Sequence, residues 1–167
     1  SEKLQAVASS CNVSSDRCLA LDCSLPNSVN ALKENYFQQF SSIDILINAA
    51  GIGIIKSMDT LDEADFLRTL NANLVAPFLL MKAFLPAMKE TKTGLIINIP
   101  GVLGKVPMAG AAAYCASKYG LVGMMQSIRE ELKRTDIRIT NLYLGGVDSP
   151  FWDTIAARQE SSSPQKR

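Results

Sequence analysis

Ala111-Ala112-Ala113-Tyr114-Cys115-Ala116-Ser117-Lys118-Tyr119-Gly120 is the stretch on which the reading of this chain turns. Tyr114 and Lys118 are four residues apart, so on a helix they share one face, a turn apart. A free phenol loses its proton near pH 10, too high for a base at neutral pH. A neighbouring ammonium favours the phenolate and is expected to draw the Tyr114 pKa down. Taken alone, Tyr-x-x-x-Lys describes any amphipathic surface helix equally well.

Three further strings stand at fixed places around it. Asn48-Ala49-Ala50-Gly51 follows the apolar run Ile43 to Ile47, Asn73 lies within a long helical pattern, and Gly145-Gly146-Val147-Asp148-Ser149 follows the apolar run Ile137 to Leu144. Together, and in this order, they resemble the short-chain dehydrogenase/reductase family: its active-site helix, its N-N-A-G turn, its structural-catalytic asparagine and its P-G-x-x-T loop. The resemblance runs from the start of the chain to about Trp152.

Composition narrows the alternatives independently. A chain of 167 residues is one domain by length, large enough for a substantial core. The 17 Lys and Arg nearly balance the 16 Asp and Glu, with no basic stripe, so nucleic acid is not an expected partner. There is no histidine, which removes Ser-His-Asp and Cys-His catalysis and His-ligated zinc. Cys11, Cys18, Cys23 and Cys115 show neither C-x-x-C spacing nor disulfide density, so free thiols in a reducing compartment are expected, and no metal. No membrane-spanning run or signal peptide is read from the sequence, and a soluble cytoplasmic protein is expected.

Along the chain, Leu4, Val7 and Ala8 mark the end of an amphipathic helix, and Asn12 to Asp16 a loop. Arg17 to Leu21 reads as a short strand ending at Asp22. Pro26 opens a helix whose buried stripe is Val29, Leu32, Tyr36, Phe37 and Phe40. Ile43 to Ile47 reads as a buried parallel strand. An acidic start at Asp59 to Glu63 leads a helix from about Leu61 to Lys89, with a kink expected between Asn73 and Pro77. Gly94 to Ile99 is the next strand, Val102 to Gly110 a loop, Tyr114 to about Arg134 a helix, and Ile137 to Leu144 a further strand. Strands alternating with helices predict a Rossmann-like doubly wound parallel α/β sheet with helices on both faces. Residues 1–152 form that single domain, and 153–167 a polar, flexible tail.

The resemblance adds a chemistry. It implies hydride transfer between a nicotinamide cofactor, NAD or NADP, and a small-molecule alcohol/carbonyl pair. Tyr114 would be the acid/base, Lys118 its tuning cation and a ribose ligand, and Asn73 part of a proton relay. Asp22 would meet the adenine; Asn48, Ala49 and Gly51 would flank the cofactor, with Val147 and Ser149 at its carboxamide. The helix containing Tyr114 is a subunit contact in many members, so a homo-oligomer is expected. The chain reads as a member that begins one βα unit late and stops early, so the sheet has a gap beside the Asp22 strand unless that strand pairs directly with Ile43 to Ile47.

Two departures set a second reading beside the first. The family's catalytic serine lies thirteen residues before the tyrosine, and here that position is Gly101, preceded by Pro100. No glycine-rich phosphate loop occurs in the sequence. A non-catalytic homologue serving as a binding or oligomerisation module would show the same two losses. An epimerase or dehydratase with Tyr-x-x-x-Lys fits Asn48-Ala49-Ala50-Gly51 less well.

Overall fold

In the computed structural model, residues 2–149, Phe151 and Ile155 are described. The elements are α1 (Glu2–Ser10), α2 (Pro26–Gln39), β1 (Ile45–Asn48), α3 (Glu63–Leu70), a π-helical turn (Asn71–Val75), α4 (Ala76–Thr91), β2 (Thr93–Asn98), α5 (Ala112–Glu131) and β3 (Asp136–Asn141). Short 3-10 turns occupy Ser15–Arg17 and Val102–Gly104. The three strands form one parallel sheet in the order β1-β2-β3. Leu46, Ile96 and Ile139 stand side by side across it. This βαβαβ run is a Rossmann-like unit, in which ligands sit beyond the carboxyl ends of the strands.

Alternation along the strands explains the core. Leu46, Ile96, Ile137 and Ile139 are buried on one face against Val29 of α2, Met81, Phe84 and Met88 of α4, and Leu121 and Met125 of α5. Of the two helical layers expected, the described residues supply this one. On the opposite face Ile45 and Ile47 are 55% and 56% exposed, so β1 is half buried rather than buried on both sides. An apolar run signals burial, but it does not say that both faces are covered.

Three other expectations change. Arg17 to Leu21 forms no strand: a strand needs a neighbour's backbone N–H and C=O groups, and this segment does not pair with β1. The last predicted strand stops at Asn141; beyond it the Leu142 and Leu144 carbonyls accept from the Gly101 and Val102 N–H groups instead. Phe40, placed in the buried stripe of α2, is that helix's exposed C-terminal cap, whereas Tyr36 and Phe37 do pack on Phe84.

The kink in the long helix takes a specific form. Asn71 to Val75 are π-helical, closed by the Ala76 N–H donating to the Asn71 carbonyl. Pro77 has no N–H to offer the Asn73 carbonyl four residues back, which removes one α-helical bond at this turn. The start is capped by Asp62, whose carboxylate accepts from the Asp65 N–H at 2.8 Å. Contrary to the sequence reading, the continuous helical run Glu63–Thr91 is long and apolar enough to cross a membrane by length and composition. Its Met81, Phe84 and Met88 fill the core described above. Of the segment read as a tail, only Ile155 lies within the described residues, and it is buried.

Candidate functional site

The carboxyl ends of β1, β2 and β3 open onto one cavity of about 410 Å³. Its wall brings together residues from five places in the sequence: Ala49 and Gly51 after β1, Ile99 to Leu103 after β2 (with buried Pro100 left out), Met108 before α5, Tyr114 and Lys118 on α5, and Leu144 to Val147, Ser149 and Phe151 after β3. Of the residues singled out in the sequence, Ala49, Gly51, Gly101, Tyr114, Lys118, Val147 and Ser149 therefore share one site. Asn73 and Asn48 stand behind it, and Asp22 does not line it.

Asn73 acts as a clamp. Its side-chain oxygen accepts from the Ile52 N–H at 2.8 Å, and its Nδ2 donates to the Ile52 carbonyl and to Ser117 Oγ, each at 3.0 Å. Ser117 in turn donates to the Tyr114 carbonyl at 2.7 Å. The loop after β1, the π turn and α5 are thus tied through one buried amide. Gly51 is required by this arrangement, because a Cβ there would lie 2.9 Å from Asn73 Oδ1.

Lys118 is buried, and its ammonium donates to the Ile99 carbonyl at 3.0 Å. It lies 5.4 Å from the centre of the Tyr114 ring. The expected tuning of the tyrosine is reversed here. Burial pushes the Tyr114 phenol above its ordinary value, with a smaller push from Cys115. Burial also pulls Lys118 down to about 8. Desolvation disfavours the charged form of both groups, and it is the leading cause of both shifts. Tyr114 is therefore a neutral phenol at pH 7, able to give a proton.

Gly101 adopts φ 69° and ψ 177°, a region that residues with a side chain rarely enter. Space is not the constraint, since a Cβ would meet only the Leu144 carbonyl oxygen, at 3.5 Å. The backbone at the position of the family's serine is thus set for glycine.

One feature went unread in the sequence. Asn48 Nδ2 donates to Asn98 Oδ1 at 2.8 Å, and Asn98 Nδ2 donates to Asn141 Oδ1 at 3.3 Å. The three asparagines stand opposite one another across β1, β2 and β3. The available signal was an asparagine at or near the end of each apolar run, at Asn48, Asn98 and Asn141. Asp22, by contrast, is spent locally, accepting from Ser24 N–H and Oγ–H at 2.9 and 2.7 Å, bonds that hold its carboxyl below the usual range.

The profile of the short chain dehydrogenase family matches residues 1–160. Among curated proteins, the chain is 31% identical over 127 residues to sepiapterin reductase of Chlorobaculum tepidum, covering 76% of this chain and 52% of that protein. It is 30% identical over 165 residues to 3-oxoacyl-[acyl-carrier-protein] reductase FabG of Rickettsia prowazekii, covering 99% of this chain and 66% of the relative. The chain thus spans about half to two thirds of the length of these relatives. Among solved structures, a metagenomic short-chain oxidoreductase in complex with NADP superposes with a TM-score of 0.79 at 34% identity, over 94% of this chain and 74% of that one. With the parallel sheet, the strand-end cavity and the ordered motifs already in place, these matches make the chain a member of the short-chain dehydrogenase family.

Proposed function

We propose that this chain carries the catalytic part of an NAD- or NADP-dependent oxidoreductase that interconverts a small-molecule alcohol and its ketone or aldehyde. The observation that carries this reading is the meeting of Tyr114 and Lys118 in one cavity at the carboxyl ends of the strands. The NADP held by the solved relative supports the choice of cofactor.

The residues present suit the nicotinamide end of such a cofactor. Ala49 and Gly51 keep the β1 side of the cavity low, and Gly145 and Gly146 face open space. Lys118 would hold the ribose hydroxyls, while Val147 and Ser149 would meet the carboxamide. When bound, the cofactor supplies or accepts the hydride. Tyr114, neutral at pH 7, gives its phenolic proton to the substrate's carbonyl oxygen in reduction and takes it back in oxidation. Lys118, anchored on Ile99, places a positive charge near the phenolate that this leaves. Asn73 orients α5 through Ser117, and its own carbonyl, freed by Pro77, can hold a relay water. A soluble, cytoplasmic, self-associating protein accords with this reading.

Gly101 favours a second reading, a non-catalytic homologue, because it offers no hydroxyl to the reacting carbonyl. The test is reduction of a panel of ketones and aldehydes with NADH and NADPH, by the chain and by Tyr114→Phe. Activity lost in the variant supports the enzyme. Equal rates in both, or no rate in either with every cofactor, favour the binding module. Calorimetric titration should find cofactor affinity weaker than micromolar, since no glycine-rich turn in these residues receives a pyrophosphate.

A further inference from the structure

The wall beside Tyr114 is made of aliphatic and aromatic side chains from separate segments. Val102 and Leu103 come from the turn after β2, Met108 from the loop before α5, and Leu144 and Phe151 from the segment after β3. Phe151 stands with its ring centre 6.2 Å from that of Tyr114. Among the described residues, no carboxylate lines this cavity, and the single ammonium that does is Lys118. That ammonium is buried and already donates to the Ile99 carbonyl. The other cation of the nearby loop, Lys105, lies over the Tyr143 ring, 3.8 Å from its centre, and is not part of the wall.

A charged substrate would have to leave its water here without meeting an opposite charge. Moving an ionised carboxylate out of water is costly unless it is paired and hydrogen-bonded. An apolar chain gains from the same wall, at about 25 cal/mol for each Å² it buries. Resting on the alcohol/carbonyl reading of this site, we infer that its substrate class is an uncharged, apolar ketone or aldehyde, and that Met108 and Val102 help enforce the exclusion of anionic substrates.

Two probes separate charge from shape. The ketone 2-octanone and the keto acid 7-oxooctanoate share the reacting carbonyl and the carbon count, and differ by a terminal methyl against a carboxylate. Binding of each to the chain is measured by calorimetry, independently of any turnover. The chain should bind 2-octanone at least roughly tenfold more tightly than 7-oxooctanoate. Met108→Arg, at a position 39% exposed, should narrow or reverse that ratio by pairing the carboxylate. Val102→Lys places the same charge from another segment, should Met108→Arg fail to fold by circular dichroism. Equal or tighter binding of 7-oxooctanoate by the unchanged chain overturns the inference, as does failure of 2-octanone to bind at saturation. An unaltered ratio in both folded variants also overturns the assignment to Met108 and Val102. Preferential 2-octanone binding without turnover would sustain the preference of this cavity for uncharged, apolar ligands and count only against the enzymatic reading.

Discussion

The side-chain amide of Asn48 donates to Asn98 Oδ1 across 2.8 Å, joining the ends of β1 and β2 where the cavity begins. Asn98 is fully buried and passes the chain of bonds on to Asn141. Backbone pairing sets strand register, and this row of amides ties the strand ends together just before the loops leave the sheet. Ala49, Ile99 and Leu142 follow directly from the three asparagines. The Asn48 side-chain oxygen is buried and meets no hydrogen-bond partner among the described residues.

Asn98→Leu should therefore destabilise the protein by on the order of 1–3 kcal/mol, because it strands the Asn48 donor in a buried place. Urea denaturation would read the loss as a lower midpoint with unchanged slope. A midpoint equal to that of the unchanged chain would show that water replaces the lost bonds.

Lys118 predicts a pH dependence of stability. Its folded value, about 8, lies below its ordinary value of 10.5. Between those two values the unfolded chain holds more protons than the folded one, so this group makes stability rise with pH. The burden of the buried charge is fully present below pH 8 and is relieved toward pH 10.5. Tyr114, raised above its ordinary 10, acts in the opposite sense only above pH 10. In denaturation series from pH 7.5 to 9.5, the stability gained by Lys118→Met over the unchanged chain should shrink as pH rises. A constant difference would mean that Lys118 is not held charged by a strained burial.

Gly101→Ser and Gly101→Ala should lose similar stability, about 1–3 kcal/mol each, since the cost arises from any Cβ at φ 69°. Only serine adds a donor near the reacting carbonyl. If the site is catalytic, Gly101→Ser should turn over carbonyl probes on the order of 100-fold faster than Gly101→Ala. Identical rates in two folded variants would favour the non-catalytic homologue. The comparison must be between these two variants, because both carry the same backbone strain.

Self-association is expected through the outer faces of α4 and α5. Phe78, Pro86 and Ile128 line a groove there, with the buried Met81 and Leu85 at its floor and Lys82 and Lys89 beside them, and Phe78 is 46% exposed. Light scattering should give a dimer or larger species, and Phe78→Glu should shift it toward monomer. A monomer at high concentration before any substitution would rule out this surface.

Periodicity and local chemistry were sufficient for much of this protein. The helix opened by Pro26, the acidic start at Asp59 to Glu63 of the long helix, the apolar strands read over Ile43 to Ile47 and Gly94 to Ile99, and the placing of Tyr114 and Lys118 on one helix face depend on neighbours in sequence. Those interactions are strong enough to be read residue by residue. The irregularity around Asn73 was likewise legible, because Pro77 must remove a specific backbone bond. What tertiary structure alone decided were properties that depend on partners distant in sequence. Arg17 to Leu21 has strand-like residues but no strand beside it, and β1 has an apolar outer face that its residue types cannot declare covered or bare. The glycine at 101 was visible as a missing hydroxyl, yet its positive φ follows from how the turn bonds to Leu142 and Leu144. The tuning of Tyr114 was reversed for the same reason. Spacing placed the ammonium near the phenol, but burial determines what each charge costs.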